Sequence, residues 1–236
     1  MRSLHSFAQR RHNAARAASA NETNKETKGL ILDQGWKYDL MEWLFDPFLF
    51  RGQLRELRRK SVTLARLQPG EAALDVGCGT GTLALMAQRE VGATGRVCGI
   101  DPGAQQIARA RAKAARRHAP IEFQIGVIEQ LPFPDQTFDV VFSTLMMHHV
   151  PASLKRQGLA EVARALKPGG RLVIADFTRM QERRGRAARF HAGGSGPQEL
   201  AALVREAGFS TVETEEMRSS RFSAFPGAGF VRAYKS

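Results

Sequence analysis

Cysteine is scarce in this sequence: Cys78 and Cys98 are the only two among 236 residues. One sits inside a glycine-rich turn and the other in the next apolar run, a spacing that suits neither a zinc site nor a secreted disulfide framework. No bound metal is expected. Long apolar runs are missing as well. None reaches the roughly 20 residues a membrane-spanning helix needs, and no signal-peptide core follows Met1. Acidic residues are absent from the first twenty positions, where Arg2, Arg10, Arg11 and Arg16 occur. That composition suits a transit peptide and equally a disordered basic arm. The repeated "AAR" and "RAR" elsewhere in the chain favour an arm over residues 1–28 and a cytoplasmic location. A transit peptide would instead send the protein to the mitochondrial matrix.

Residues 29–236 suffice for one globular domain that needs no staple. The formal net charge of +12 attracts nucleic acid, anionic lipid heads and small acids alike. The cations are spread over "RGQLRELRRK", "RARAKAARRH" and "RMQERRGRAARFH", of which the first two fall on helical patterns with apolar positions facing inward. A solvated basic face explains them. Peripheral contact with an anionic membrane surface is a second expectation. No basic stretch interleaves aromatics on a strand or recognition helix, so nucleic acid is not expected as a partner.

Five apolar runs read as strands: Ala72 to Gly77, Arg96 to Asp101, Ile121 to Gly126, Thr137 to Thr144 and Gly170 to Phe177. Helical patterns follow the first, second and fourth; that after the fourth carries a stripe of Leu154, Leu159, Val162 and Leu166. Such alternation predicts right-handed βαβ units and a mostly parallel sheet with helices on both faces, a Rossmann-like α/β fold. A last helix, Gly196 to Phe209, precedes two strand-like runs, "STVETEEMRS" and "GFVRAYKS". With no helix between them, these pair antiparallel at the sheet edge.

The first strand runs into "DVGCGTG" (Asp75 to Gly81) and then a helix. Gly77, Gly79 and Gly81 follow a G-x-G-x-G spacing, and the last glycine of the dinucleotide fingerprint is replaced by Thr82. Backbone donors on such a turn hold a carboxylate at a helix N-terminus, while Asp75 nearby suits an ammonium. An amino-acid tail carries both groups. Asp101 ends the second strand, where a carboxylate accepts hydrogen bonds from ribose hydroxyls. Together they point to S-adenosylmethionine.

The ordered set "LDVGCGTG", "GIDPG", "LPFPDQTFDVVFS", "MHHV" and "LKPGGRLVIADF" resembles class I S-adenosylmethionine-dependent methyltransferases over about Leu30 to Lys235. It looks most like the branch of ubiquinone and menaquinone C-methyltransferases and phosphatidylethanolamine N-methyltransferases. The resemblance implies a seven-stranded sheet whose last strand is antiparallel. It further implies that Gly77, Cys78, Gly79 and Gly81 line the methionine end of the cofactor, that Asp101 binds ribose and that Pro102 flanks adenine. Relatives usually carry Gly-Asp before "LPF", the acid meeting the adenine amino group. Here Val127 stands in the acid's place, which leaves adenine to the backbone of Ile128 and apolar packing. Tyr38 matches a Tyr-Asp pair whose tyrosine approaches the cofactor in relatives.

The same resemblance places the reacting methyl beyond the fourth strand, beside Thr144. No Asp/Asn-Pro-Pro-aromatic motif stands there, which argues against methylation of nucleobase amines. His148 and His149 are the candidate general bases, since imidazole titrates near neutral pH. Residues 30–60 read as a helical lid, because "GWKYDLMEWLFDPFLFRG" is apolar on more than one face: Trp36, Leu40 and Trp43 on one, Tyr38, Met41 and Phe45 on another. A small apolar or amphipathic acceptor, quinone-like or a lipid head group, is therefore expected. An RNA or protein methyltransferase and a non-catalytic cofactor-binding protein are the alternatives.

Overall fold

A computed structural model describes residues 33, 35–178, 196–219 and 223–236. The basic arm over 1–28 and "RMQERRGRAARFH" lie outside the described residues. Helices α1 (Trp36–Phe48) and α2 (Gln53–Ala65) precede an alternation of β1 (Ala72–Val76), α3 (Thr82–Val91), β2 (Arg96–Asp101), α4 (Ala104–Arg116), β3 (Ile121–Ile125) and β4 (Phe138–Thr144). A 3-10 turn, Met147–His149, leads to α5 (Ala152–Ala165), β5 (Leu166–Phe177), α6 (Pro197–Glu206), β6 (Phe209–Met217) and β7 (Ala228–Lys235).

The seven strands form one sheet in the order β3-β2-β1-β4-β5-β7-β6. β1 lies between β2 and β4, parallel to both, so the strand order reverses there and a crevice opens at the strands' carboxyl ends. β7 is antiparallel to both β5 and β6. The antiparallel pair expected at the edge thus forms with its later strand inside: β7 is mostly buried, and β6 is the edge. Glu213, Glu215 and Glu216 on that edge are exposed, which discourages pairing with a further strand.

Both faces are covered. α2, α3 and α4 bury Val62, Ala65, Leu83, Ala87, Ile107 and Ala110 against Ala73, Val140 and Val173 of the sheet. On the other face, α5 and α6 contribute Leu159, Val162, Leu200 and Val204 against Leu74, Val141 and Leu172. Each helix supplies the i, i+3, i+4 spacing that one-sided burial demands. The fifth strand starts earlier than the apolar pattern predicts. Leu166 pairs with Phe138, pairing resumes at Arg171 with Val140, and a turn through Gly169 at φ 72° absorbs the residues between.

Residues 30–60, read together as a lid, divide between two helices with different roles. α2 buries Leu54, Leu57, Val62 and Ala65 and belongs to the domain core. α1 is tied on by polar contacts of its described side chains. The Asp46 carboxylate accepts from Leu54 N at 2.9 Å and Arg55 N at 3.3 Å, satisfying donors that the start of α2 would otherwise leave unpaired.

Candidate active site

The glycine-rich turn is strapped to β2 by two bonds: Gly77 N and Cys78 N both donate to Ile100 O at 2.9 Å. Gly77, Gly79 and Gly81 have φ of 70°, 52° and 77°, the left-handed region that glycine enters without penalty. Two of them are also sterically committed. A side chain at Gly81 would meet the Phe123 ring at 2.7 Å, and one at Gly77 would lie 2.3 Å from Met146 Cγ. Gly79 has open space where a Cβ would be.

Asp101 braces the turn. Its Oδ2 accepts from Gly79 N at 3.0 Å and its Oδ1 from Gly103 N at 2.8 Å. Burial pushes its carboxyl up to about 6 against the opposing pull of those two bonds. Each oxygen keeps a second lone pair for another donor. Asp75 is 2% exposed, and burial pushes its carboxyl up to about 7 while Arg58 and the Ala84 amide pull the other way. Its Oδ2 has no hydrogen-bond partner among the described residues, and the same holds for Ser143 Oγ and Thr144 Oγ1 at the end of β4. Buried polar atoms without partners are uncommon in folded proteins, and these three sit on paired strands, Asp75 opposite Phe142 and Val76 opposite Ser143.

Beyond β4 the chain turns sharply at Leu145, whose φ is 56° and whose amide donates to Ala175 O at 2.7 Å. The 3-10 turn that follows carries His148 onto the end of β5. His148 Nδ1 lies 2.6 Å from Asp176 Oδ1, and the backbone amide of His148 donates to Asp176 Oδ2 at 2.8 Å. Both side chains are almost wholly buried. His149 lies against His148 with ring centroids 3.8 Å apart and planes tilted by 49°, and the Phe177 ring approaches His148 at 5.3 Å. Lys155 of α5 is buried too. Its ammonium is held below the usual lysine range by burial, opposed by the charges of Glu199 and Asp176.

Of the residues singled out in the sequence, Asp75, Gly77, Cys78, Gly79, Gly81 and Asp101 share the carboxyl ends of β1 and β2. Pro102 directly follows Asp101 at the start of the segment leading to α4. Thr144 and His148 lie across the crevice on β4 and the turn after it. Ile128 is 4% exposed and its side chain packs into the core, and Val127 forms an isolated bridge with Gln130. Tyr38 lies on α1, but its side chain is outside the described residues. Sequence reading missed Asp176, Arg58 and Lys155: each looks like ordinary strand-end or helix-surface charge until the fold buries it.

Asp39, next to Tyr38, connects α1 to the turn. Its carboxylate accepts from Thr80 Oγ1 at 2.6 Å, Arg109 Nε at 2.5 Å and Lys113 Nζ at 2.5 Å. Burial raises its carboxyl, yet those bonds outweigh burial and hold it below the usual range. Between α1, α2, α3 and α4 a cavity of about 840 Å³ opens, with Leu40, Pro47 and Met86 among its apolar walls and Arg55, Arg58 and Lys113 among its cations.

This sheet order, with a glycine turn after β1 and an acid ending β2, defines a class I S-adenosylmethionine-dependent methyltransferase fold. A family model described as a methyltransferase domain matches residues 73–170. A solved methyltransferase from Aquifex aeolicus superimposes with a TM-score of 0.65 over 81% of this chain and 93% of that one, at 22% identity. The chain thus has the fold of the class I S-adenosylmethionine-dependent methyltransferases and carries a methyltransferase domain match over residues 73–170.

Among curated relatives, a demethylmenaquinone methyltransferase of Symbiobacterium thermophilum is 38% identical over 60% of this chain and 55% of its own length. The ubiquinone/menaquinone biosynthesis C-methyltransferase UbiE of Geobacter sulfurreducens is 34% identical over 69% and 62%. An arsenite methyltransferase of Halobacterium salinarum is 34% identical over 63% and 40%. The chain thus spans between 40% and 62% of the length of these three relatives.

Proposed function

We propose that this chain transfers the methyl group of S-adenosylmethionine to a small apolar or amphipathic acceptor that loses a proton at the methylated atom, a quinol-like ring being the favoured class. The residues at the crevice suit the cofactor. The unpartnered Asp75 Oδ2 suits its ammonium, and the open space at Gly79, flanked by Gly77, Cys78 and Gly81, leaves room for its methionine end, although the amides of these four residues already donate within the protein. The remaining lone pairs of Asp101 suit ribose hydroxyls. Pro102, Val127 and the backbone of Ile128 would border adenine, with Thr144 bordering the sulfonium end.

The observation that carries the acceptor class is the buried pair of His148 and Asp176. Bound cofactor supplies a methyl already activated on a sulfonium, so much of the remaining task is positioning and proton removal. The Asp176 carboxylate holds the Nδ1 edge of His148, which orients the ring and stabilises the positive charge it gains when it takes up a proton as a base. His149 packs against that ring and braces it. A phenol, enol or activated ring carbon needs such a base.

Arsenite fits this chain less well. Thiolates are the ligands soft enough for it, and the chain's two cysteines are both buried. Burial pushes the Cys78 thiol well above its usual range and Cys98 up to about 11. The quinone-named relatives agree with the carbon- or oxygen-acid class. The test is titration calorimetry with S-adenosylmethionine and S-adenosylhomocysteine, followed by methylation of a reduced short-chain quinone with wild type and Asp101→Ala. Saturable binding is expected, weakened by about 1–3 kcal/mol in the variant because buried ribose contacts are lost. No binding of either ligand, or no transfer to any reduced quinone, would overturn the reading.

A further inference from the structure

Among the described residues, the exposed large apolar side chains are Leu40, Leu44, Phe48, Leu49 and Ile125. The first four lie within α1 and the residue that ends it. Leu40, Leu44 and Phe48 are spaced i, i+4, i+8 and form one stripe. Phe48 is 74% exposed, and Leu40, Leu44 and Leu49 are 49%, 46% and 46% exposed. Scattered exposed leucines are ordinary; a continuous apolar stripe on one helix is not.

The stripe is held facing outward. Toward the start of α1, Asp39 is bound to Thr80, Arg109 and Lys113. Toward its end, Asp46 caps α2, and Leu49 O accepts from Ala224 N at 2.9 Å. The helix therefore cannot roll its apolar side inward without breaking contacts at both ends.

Charge says what kind of surface fits. Arg51, Arg55 and Arg59 follow the stripe and are exposed, with Arg59 paired to Glu56 at 2.6 Å. The acids of α1 whose side chains are described, Asp39 and Asp46, are turned to their partners inside. In sequence, residues 1–32 leading into α1 carry six Lys or Arg against two Glu. An apolar stripe bordered by cations matches an interfacial helix, with apolar side chains among acyl chains and cations at the head groups.

We propose that the exposed face of α1 docks this protein on an anionic membrane surface. Leu40 lies both on the stripe and on the wall of the 840 Å³ cavity, so docking sets that cavity against the bilayer. This placement does not depend on the chemistry at the crevice.

The experiment is co-flotation of the full chain with vesicles of pure phosphatidylcholine and with vesicles containing about a third phosphatidylglycerol. Binding at least tenfold stronger to the anionic vesicles is expected. Leu44→Glu with Phe48→Glu, a pair outside the cavity wall, should cut binding to anionic vesicles at least tenfold with an unchanged thermal melt. Arg51→Glu with Arg55→Glu should erase the anionic preference. Equal affinity for both vesicles, no flotation at all, or undiminished flotation of the Leu44/Phe48 variant would overturn the proposal. So would a wild-type dimer that becomes monomeric in that variant while flotation is unchanged, since the stripe would then be a contact between copies.

Discussion

Asp176→Asn is the change that most directly probes the buried histidine, because it keeps the shape of the side chain and removes the charge. In the native protein Asp176 is 2% exposed and accepts from His148 Nδ1 at 2.6 Å, His148 N at 2.8 Å and Phe177 N at 2.8 Å. Hydrogen bonds to a charged group contribute about 1.5–3 kcal/mol each, against roughly 1 kcal/mol for a neutral pair. An asparagine has one carbonyl oxygen, and its NH₂ group would face one of the donors that the second carboxylate oxygen accepted. The ring then loses its negatively charged partner as it takes up a proton. A fall in kcat of about 10–160-fold follows from the loss of about 1.5–3 kcal/mol of transition-state stabilisation.

A structural disturbance alone would also lower kcat, so the assay needs an acceptor series. Steady-state rates are measured with phenolic or quinol acceptors whose own pKa values lie above and below the assay pH. If His148 removes the proton, Asp176→Asn should slow acceptors that enter protonated by the full factor. Acceptors that arrive already ionised should be slowed little, and the cofactor's binding constant should stay within about twofold of wild type, because the Asp75 and Asp101 side of the crevice is untouched. An equal loss across the series would refute a base held by Asp176 and leave the pair a packing feature. A loss below twofold with protonated acceptors would refute it as well.

Asp75→Asn should separate cofactor affinity from stability. Burial raises the Asp75 carboxyl to about 7, above its value in the unfolded chain, so the folded protein binds more protons than the unfolded one between about pH 4 and pH 7. This group's contribution therefore falls as pH rises through that window and stays low above it. The asparagine variant should be more stable than wild type near pH 8 and closer to it near pH 4, read from thermal melts, while binding S-adenosylmethionine at least tenfold more weakly by calorimetry. A variant that melts lower at pH 8 would contradict the assignment. Gly77→Ala should destabilise the fold by more than about 2 kcal/mol, since the added Cβ falls 2.3 Å from Met146 Cγ at a φ of 70° that costs L-residues energy on its own. Met146→Ala should recover only part of that loss in urea unfolding, and full recovery would mean backbone strain plays no part.

How much of this was legible in the sequence depends on whether a residue's role is local. Strand–turn–helix units declare themselves locally: the run from Asp75 through Gly81 specifies its turn by glycines at three alternate positions, and the helix after it matches residues 82–91 because its apolar spacing fits only one period. Asp101 was legible for the same reason, as an acid ending a strand one βαβ unit later. Asp176 was not, because its part depends on β4 lying beside β5 and on Leu145 turning the chain so that His148 reaches across a neighbouring strand. The stripe on α1 was missed for a different reason. "WKYDLMEWLFDPF" is apolar on more than one side, and sequence periodicity cannot tell which side the fold will cover. Asp39 and Asp46 contribute to that choice, the first tied to cations far away in the chain and the second to backbone donors at the start of α2. A helix fixed by its polar side can leave apolar residues facing out, so the same contacts that brace the glycine turn also determine what α1 offers to solvent or to a membrane.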